Sequence, residues 1–539
     1  MSKATDLAKI SVKGGFHLMW GLVASTVISA VGTIIIASLL GEGNYGLYGI
    51  VLTAPTLIVL FRNWGINNAI ICYTAQSNAE DRKEKIRSIF LSGLIFEIAL
   101  GAALFILSFA LSDFLAADIF SRPSLTPLLQ IASFTILTSA LVTTASAAFV
   151  GIERTHFNSI MVVAQAIIKT ALIVALVLLG LGLTGAVTGL MLSSLIAGFI
   201  GITFMYTIYR KFPKPDSNNL EIAKNIKKML KYGIPISVGV ILTGFLLQYY
   251  NFLLYIFVSD NSIIGNYTIA QNFVVLITFF AQPVTTMIFP AFSKLNHKKE
   301  PETLKNMYQN SIKYASLLVV PFASMVMVLS QPAISTLFGN QYVEAPLFLS
   351  LLAIMYLYPV MGSLSNASLI NGQGQTTFNL IIASVTAAVG LPIGFILISG
   401  YGVLGLITTA LTAILPGTII SLIFIKKRYN LNINWKSSLK ILFSSLTAAA
   451  LTYLLTTQLA SLTSLIRLII GVTAFAFLYI ISAILTRTIT QTDLNNLREM
   501  FSTLGPISRI LAVILSIIEK IMTTLTPNKA KNRAVQAIQ

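Results

Sequence analysis

The chain has 539 residues, 55% of them hydrophobic and only 10% charged, with a formal net charge of +18. So few charges exclude an ordinary soluble domain, and the single cysteine, Cys72, excludes an internal disulfide and a cysteine-based metal site. No GxxxxGK[ST] loop is present, which excludes a recognisable ATPase.

Fourteen apolar blocks follow one another at 16–40, 45–72, 88–111, 125–149, 158–181, 184–208, 232–258, 263–290, 314–337, 346–370, 378–400, 402–425, 439–460 and 464–486. Each is near or above the ~20 residues that cross a bilayer. Backbone groups in lipid must be satisfied within the element, so these are predicted helices. The predicted fold class is an all-α, polytopic membrane protein. The first span is too long for a removed signal peptide and lacks a small-residue cleavage site. His17 opens this span and reads as an interfacial residue.

Span 2 carries Arg62, placed toward one membrane interface, where its side chain either snorkels or faces a cavity and grips a phosphate. Span 3 carries Glu97, flanked at four-residue spacing by Gly93 and Gly101, and span 5 carries Lys169 on one face with Gln165 and Asn158. Glu97 and Lys169 both lie about 14–17 Å deep at 1.5 Å per residue, so they are expected to meet as a neutral pair. Ionisable groups at that depth are costly and are functional candidates by default. Lys169, Arg62 and Gln165 are therefore substrate-binding candidates and Glu97 the ion-coupling candidate. The competing reading is an ion pair that only joins helices.

A linker over 210–231 with Lys211, Pro213, Lys214 and Pro215 leads to span 7, where Gln248, Asn251 and Tyr255 share a face. Amides and hydroxyls beside aromatics suit sugar hydroxyls, and they suit inter-helix hydrogen bonds equally. Gln282, Asn366 and Asn379 are weaker candidates of this kind. Pro55, Pro283, Pro321, Pro359, Pro392 and Pro416 lie within spans and free backbone carbonyls there. Beyond span 14, residues 504–525 put Arg509, Ala512, Ser516, Glu519, Lys520 and Thr523 on one helical stripe. That pattern predicts an amphipathic helix lying on the membrane surface. Residues 528–539 read as a polar tail.

The charges follow the spans. With the N-terminus cytoplasmic, 33 of 36 Lys/Arg fall on or near the inner side, Arg122 and Arg467 fall outside, and Lys169 is within the membrane. Topogenic bias thus explains the basic balance, and nucleic-acid binding is not expected.

The chain also repeats itself. Gly43-Asn44-Tyr45 returns as Gly265-Asn266-Tyr267, Gly151-x3-Thr155-x-Phe157-Asn158 as Gly372-x3-Thr376-x-Phe378-Asn379, and Gly182-x2-Gly185 as Gly402-x2-Gly405, at offsets of 222, 221 and 220. Three landmarks in register predict two six-helix lobes, 1–209 and 232–425, in a parallel repeat. An extra helix pair follows at 426–486, then a cytoplasmic tail at 487–539. Duplicated membrane bundles are typical of transporters with a site between repeats.

The basic N-terminus, Leu39-Leu40-Gly41, Asn44-Tyr45-Gly46-Leu47-Tyr48, Asn63-Trp64-Gly65-Ile66, and Tyr73 and Ala75 before a basic loop stand on this plan of six, six and two spans. Together they resemble the polysaccharide transporter (oligosaccharide flippase) branch of the MATE-like flippase (MOP) superfamily. The resemblance implies export of polyprenyl-(di)phosphate-linked oligosaccharide to the outer leaflet of the plasma membrane by alternating access. It also implies membrane lipids and glycan polymerases or glycosyltransferases as partners, with no metal or cofactor and a monomeric state. An ion gradient or the membrane potential would supply the energy. The rival readings are an ion-coupled exporter of drugs or small amphiphiles on the same fold, and a non-transporting scaffold for glycan assembly.

Overall fold

In the computed structural model the backbone is described over residues 3–62, 64–212, 221–295, 297–502 and 507–525; side chains are described there except at 3–19, 235–236, 279–291, 294, 497, 499–502, 507–511, 514 and 523–525. The side chains of His17, Gln282, Pro283, Arg509 and Thr523, the linker residues Pro213, Lys214 and Pro215, and the tail 528–539 lie outside the described residues.

Among the described residues all regular structure is helical. The helices are α1 Lys3–Leu60, α2 Ile66–Ala79, α3 Lys83–Ala110, α4 Thr126–Gly151, α5 Thr155–Leu176, α6 Gly182–Tyr209, α7 Ile222–Phe257 and α8 Asn261–Lys294. They continue as α9 Pro301–Phe338, α10 Ala345–Ala353, α11 Ser363–Gly372, α12 Thr376–Tyr429, α13 Trp435–Gln458, α14 Ser464–Leu485, α15 Gln491–Ser502 and α16 Ile507–Leu525. Nine helical stretches among the described residues are long and apolar enough to cross a membrane, or ten with the pair bent by 48° at Gly362 counted as one span. Three of these stretches cover two expected spans each, because the helix turns at a tight glycine break in place of a loop: Gly41 in α1, Gly180 and Gly182 between α5 and α6, and Gly402 in α12.

The repeat is visible in backbone conformation. Gly182 has φ 49° and ψ −128°, and its counterpart Gly402 has φ 55° and ψ −125°. Glu153 (φ 60°) and its counterpart Gly374 (φ 77°) both take the left-handed turn after a helix. The Arg154 N–H donates to the Phe149 carbonyl at 2.9 Å, and 221 positions later the Gln375 N–H donates to Ile370 at 3.0 Å. Two stretches with different side chains make the same turn, as expected of a duplicated bundle.

Besides the span 346–370, bent at Gly362, a second expected span is broken among the described residues. The block 45–72 is divided between the end of α1 and α2 by a turn at Phe61 and Arg62 and a bend at Trp64 and Gly65. Gly65 sits at φ 74°, and a Cβ there would overlap the Gly233 backbone. A positive φ and a backbone-to-backbone approach both require glycine at this position. Of the prolines in spans, Pro359 lies in a 3-10 stretch, Ile354–Met361, directly before the bend at Gly362.

The helices divide into two compact units. The first comprises Met1–Asn272, Asn340–Ala345 and Leu380–Pro416. Its core gathers Ile66, Ile70, Phe90, Phe149, Met161 and Met229, among others. Lipid tails are as apolar as these side chains, so close approach at small residues holds such helices together. Gly189 against Ile173 and Gly201 against Ala145 and Met161 supply that approach here.

The second unit comprises Phe273–Gly339, Pro346–Asn379 and Gly417–Gln539. There α13 and α14 pack on α9, with Gly471 seated on Leu329 and Thr456. The end of the chain docks on the same unit. Leu494 of α15 and Leu515 of α16 are buried with Tyr314, Leu317, Val320 and Ile441. The expected amphipathic helix therefore uses one side for protein, while Val513 and Ile517 stay 59% and 51% exposed. Residues 491–502, read as part of an undivided tail, form a helix of their own.

Asp493 fixes this attachment. Its carboxylate accepts from Lys313 Nζ at 2.7 and 2.6 Å and from the Thr490 N–H at 2.8 Å. Burial alone would raise its pKa, but the bonds from Lys313 and Thr490 outweigh burial and hold the carboxyl below its ordinary range. A depressed folded-state pKa contributes stability above the unfolded value, lost as pH falls through the folded one. Hydrogen exchange across α15 and α16 should accordingly speed up as pH drops below about 4, beyond the intrinsic change of exchange chemistry. Asp493→Asn should exchange faster at pH 7 and lose that extra pH dependence. Unchanged protection in the variant would show that apolar packing alone holds the tail.

Candidate functional site

The break after α1 delivers Arg62 into the first unit. Arg62 is 4% exposed and Glu97 is 1% exposed, and Arg62 Nε lies 3.1 Å from Glu97 Oε2. Arg62 Nη1 donates to the Ile136 carbonyl at 2.5 Å and to Ser139 Oγ at 2.8 Å, and Nη2 donates to Thr143 Oγ1 at 3.1 Å. Asn67 Nδ2 donates to the other carboxylate oxygen of Glu97 at 3.2 Å. The cluster ties α2, α3 and α4 to the turn after α1. Arg62 thus neither snorkels nor offers a free fork to a ligand in this structure.

The expected pairing of Glu97 with Lys169 does not form. Equal depth by helical rise does not bring them together: α3 packs on α4 and α7, whereas α5 packs on α1 and α6. Depth along a helix is readable from sequence; which helices are neighbours is not. Lys169 is half-buried, and among the described residues it meets neither a carboxylate nor a hydrogen-bond acceptor. Its stripe is polar as expected. Gln165 Nε2 donates weakly to Ser194 Oγ at 3.4 Å, and Asn158 Oδ1 is buried with no partner among the described residues.

The span 7 candidates divide. Asn251 is 6% exposed and accepts from the Tyr267 hydroxyl at 3.3 Å. Tyr255 is 3% exposed, its hydroxyl held by Thr53 and Thr268. Both serve helix packing here. Gln248 is half-buried and remains available among the described residues. In the second unit Asn366 bridges helices, accepting from the Tyr308 hydroxyl at 2.8 Å and donating to Ser421 Oγ at 3.0 Å. Asn379 donates to Asn371 Oδ1 at 2.7 Å.

The two GNY copies meet, which sequence reasoning did not foresee. A Cβ on Gly46 would overlap the Asn261 carbonyl oxygen, and one on Gly265 would overlap that of Glu42, so α1 and α8 cross backbone to backbone. Asn266 Nδ2 donates to Glu42 Oε2 at 2.9 Å, while its Oδ1 accepts from the N–H groups of Glu344 and Ala345 at 3.0 and 2.9 Å. Tyr45 accepts from Asn272 at 3.0 Å. Beside this crossing Arg122 grips the link between α7 and α8. The signal that marked it was its place on the wrong side of the charge bias.

The family described as polysaccharide biosynthesis protein matches residues 11–296, 286 of the 539 positions. The chain belongs to the polysaccharide biosynthesis protein family. It is 25% identical over 317 residues to a probable low-salt glycan biosynthesis flippase, Agl15, of Haloferax volcanii, covering 56% of this chain and 63% of that protein. It is 23% identical over 413 residues to an uncharacterized membrane protein of Methanocaldococcus jannaschii, covering 73% of this chain and 80% of that one. Among solved structures, the lipid II flippase MurJ in an inward closed conformation superposes with a TM-score of 0.67 at 17% identity, covering 87% of this chain and 98% of that chain. An inward-facing multidrug resistance MATE transporter of the MOP superfamily superposes at 0.60 and 18% identity, covering 75% and 94%. This member of the polysaccharide biosynthesis family is therefore a multi-pass helical membrane protein with the fold of these two solved structures.

Proposed function

We propose that the chain is a flippase that carries polyprenyl-(di)phosphate-linked oligosaccharide from the inner to the outer leaflet of the plasma membrane by alternating access. In this reading fourteen spans place both termini in the cytoplasm, in two six-helix lobes, 1–209 and 232–425, with the pair at 426–486 added. The observation that carries the reading is Lys169: a mid-span cation on a polar stripe, with no carboxylate partner among the described residues. A mid-span ammonium with no partner is costly, and an anionic head group would relieve that cost. The match to glycan-biosynthesis relatives supports a sugar-bearing cargo over a drug.

Lys169 contacts the phosphate, with Gln165 and Gln248 offering amides to sugar hydroxyls. Arg62 shapes the cavity wall without gripping the phosphate directly, because Glu97 and α4 hold its guanidinium. Glu97 takes no ion-coupling role in this scheme, since its charge is paired with Arg62 at 3.1 Å and its other oxygen accepts from Asn67. An ion gradient or the membrane potential drives the cycle.

Reconstituted vesicles with a fluorescent polyprenyl-diphosphate sugar test the reading. Lys169→Ala should slow transbilayer movement by about tenfold or more, the loss of one charge-assisted contact of about 1.5–3 kcal/mol. Lys169→Arg should retain most of the rate. An unchanged rate in Lys169→Ala would remove Lys169 from the mechanism.

A further inference from the structure

Arg122 stands out because all five of its guanidinium N–H groups are used, and four of them reach one short segment. Nε donates to Asn261 Oδ1 at 3.1 Å; Nη1 donates to the Phe120 and Tyr255 carbonyls at 3.0 Å; Nη2 donates to the Val258 and Ser259 carbonyls at 3.0 Å. Tyr255, Val258 and Ser259 lie at and just beyond the C-terminal end of α7, where carbonyls lack helical partners and the helix dipole is negative. A planar fork fixed in five directions holds a backbone segment in one position, as a lysine could not. Phe120 adds a T-shaped contact to Phe252 with centroids 5.4 Å apart.

The segment so held links α7 to α8, and α8 begins at the backbone crossing with α1. Asn261 itself takes part in both contacts: its side chain accepts from Arg122 and its carbonyl oxygen faces Gly46. A cation on this side runs against the charge bias of the chain. We propose that Arg122 is the catch of a latch that keeps the outer end of the first unit closed. Opening toward the outside requires Arg122 to release residues 255–261, which lets α8 leave α1 at Gly46 and Gly265. The proposal rests on the alternating-access reading and adds to it the residue that sets how often the outer end opens. The closed state is polar at the catch, so water can replace its hydrogen bonds without stranding buried donors, and the latch can reopen.

The test uses purified full-length protein in detergent, which makes it independent of transport and of orientation. In a Cys72→Ser background, Thr53→Cys is the reporter. Thr53 is 4% exposed and its hydroxyl lies against Tyr255, whose carbonyl Arg122 holds. Arg122→Ala should raise the maleimide labelling rate of the introduced thiol about tenfold, a shift of about 1.4 kcal/mol in the opening equilibrium. Arg122→Lys and Asn261→Ala should give smaller increases in the same direction, and they carry the comparison if Arg122→Ala fails to purify as a monodisperse species. Labelling equal to the parent in the folded variants overturns the latch. A parent that moves no lipid-linked sugar while Arg122→Ala still accelerates labelling would instead overturn the flippase reading alone.

Discussion

Glu97→Ala should be among the most destabilised single variants of this chain, by about 3–5 kcal/mol. The substitution leaves the Arg62 guanidinium charged, 4% exposed and without its only carboxylate among the described residues. The bonds to Ile136, Ser139 and Thr143 remain, but they are neutral acceptors and do not balance the charge. Removing both charges, in Arg62→Met with Glu97→Leu, should cost clearly less than Glu97→Ala alone, since a buried pair is often replaced by apolar residues at little net cost. Denaturant titration in micelles, followed by tryptophan emission, measures Glu97→Ala, the double variant and the single variants Arg62→Met and Glu97→Leu, and the double variant with its two singles gives the coupling energy of the pair. A double variant no better than Glu97→Ala would mean that the cluster, and not charge balance, holds the site. Transport by the double variant answers a second question. Flipping that survives in the double variant makes the pair structural, whereas a selective loss of flux in a stable protein would place the Arg62–Glu97 pair in the transport machinery.

Much of the fold was legible because lipid imposes a simple code. Apolar blocks of bilayer length mark helices, and basic residues mark one side. Gly182 and Gly402 match as letters and also share a backbone conformation, because a glycine-only φ repeated at one offset records duplicated geometry. The misreadings have a common physical origin. Gly65 stands in one of the segments that carry the family resemblance, but nothing local reveals that Gly233, 168 positions away, presses against it. Glu97 and Lys169 were matched by depth, which the 1.5 Å rise gives, but partner choice depends on azimuth and on helix neighbours. Asn251 and Tyr255 shared a helical face as expected; whether that face meets a cavity or another helix depends on packing. The Arg122 contact spans loops that no periodicity describes, and the one signal in the sequence is that Arg122 runs against the expected charge bias.

The duplication is also asymmetric. Both copies keep the glycine turns, yet the three charges expected within spans, Arg62, Glu97 and Lys169, all belong to the first copy. The second copy meets the same packing need with neutral bridges such as Tyr308, Asn366 and Ser421. Neutral bridges can exchange partners without exposing a charge to lipid. On the proposed flippase reading, the first copy would carry the electrostatics and the second would rearrange at lower cost.

That division gives weight to the turn that positions Arg62. Gly65→Ala should destabilise the chain by about 2–5 kcal/mol, combining about 1–2 kcal/mol for a side chain in the left-handed region with about 1–3 kcal/mol for overpacking. Gly233→Ala provides the internal control. Its Cβ would press on the same contact from the other side, against the Trp64 carbonyl and the Gly65 backbone, but Gly233 lies within helix α7 and has no positive φ. Alanine at Gly233 also gains about 0.5–1 kcal/mol of helix propensity, so with the left-handed term the two losses should differ by about 1.5–3 kcal/mol. Equal losses would show that only the close approach demands glycine. Because Arg62 stands three residues before Gly65, relaxation of this turn should also loosen the Arg62–Glu97 contact. Glu97→Ala introduced on top of Gly65→Ala should then cost less than it does in the parent. Full additivity of the two substitutions would mean that the turn and the ion pair are independent, and that α4 alone holds Arg62 in place.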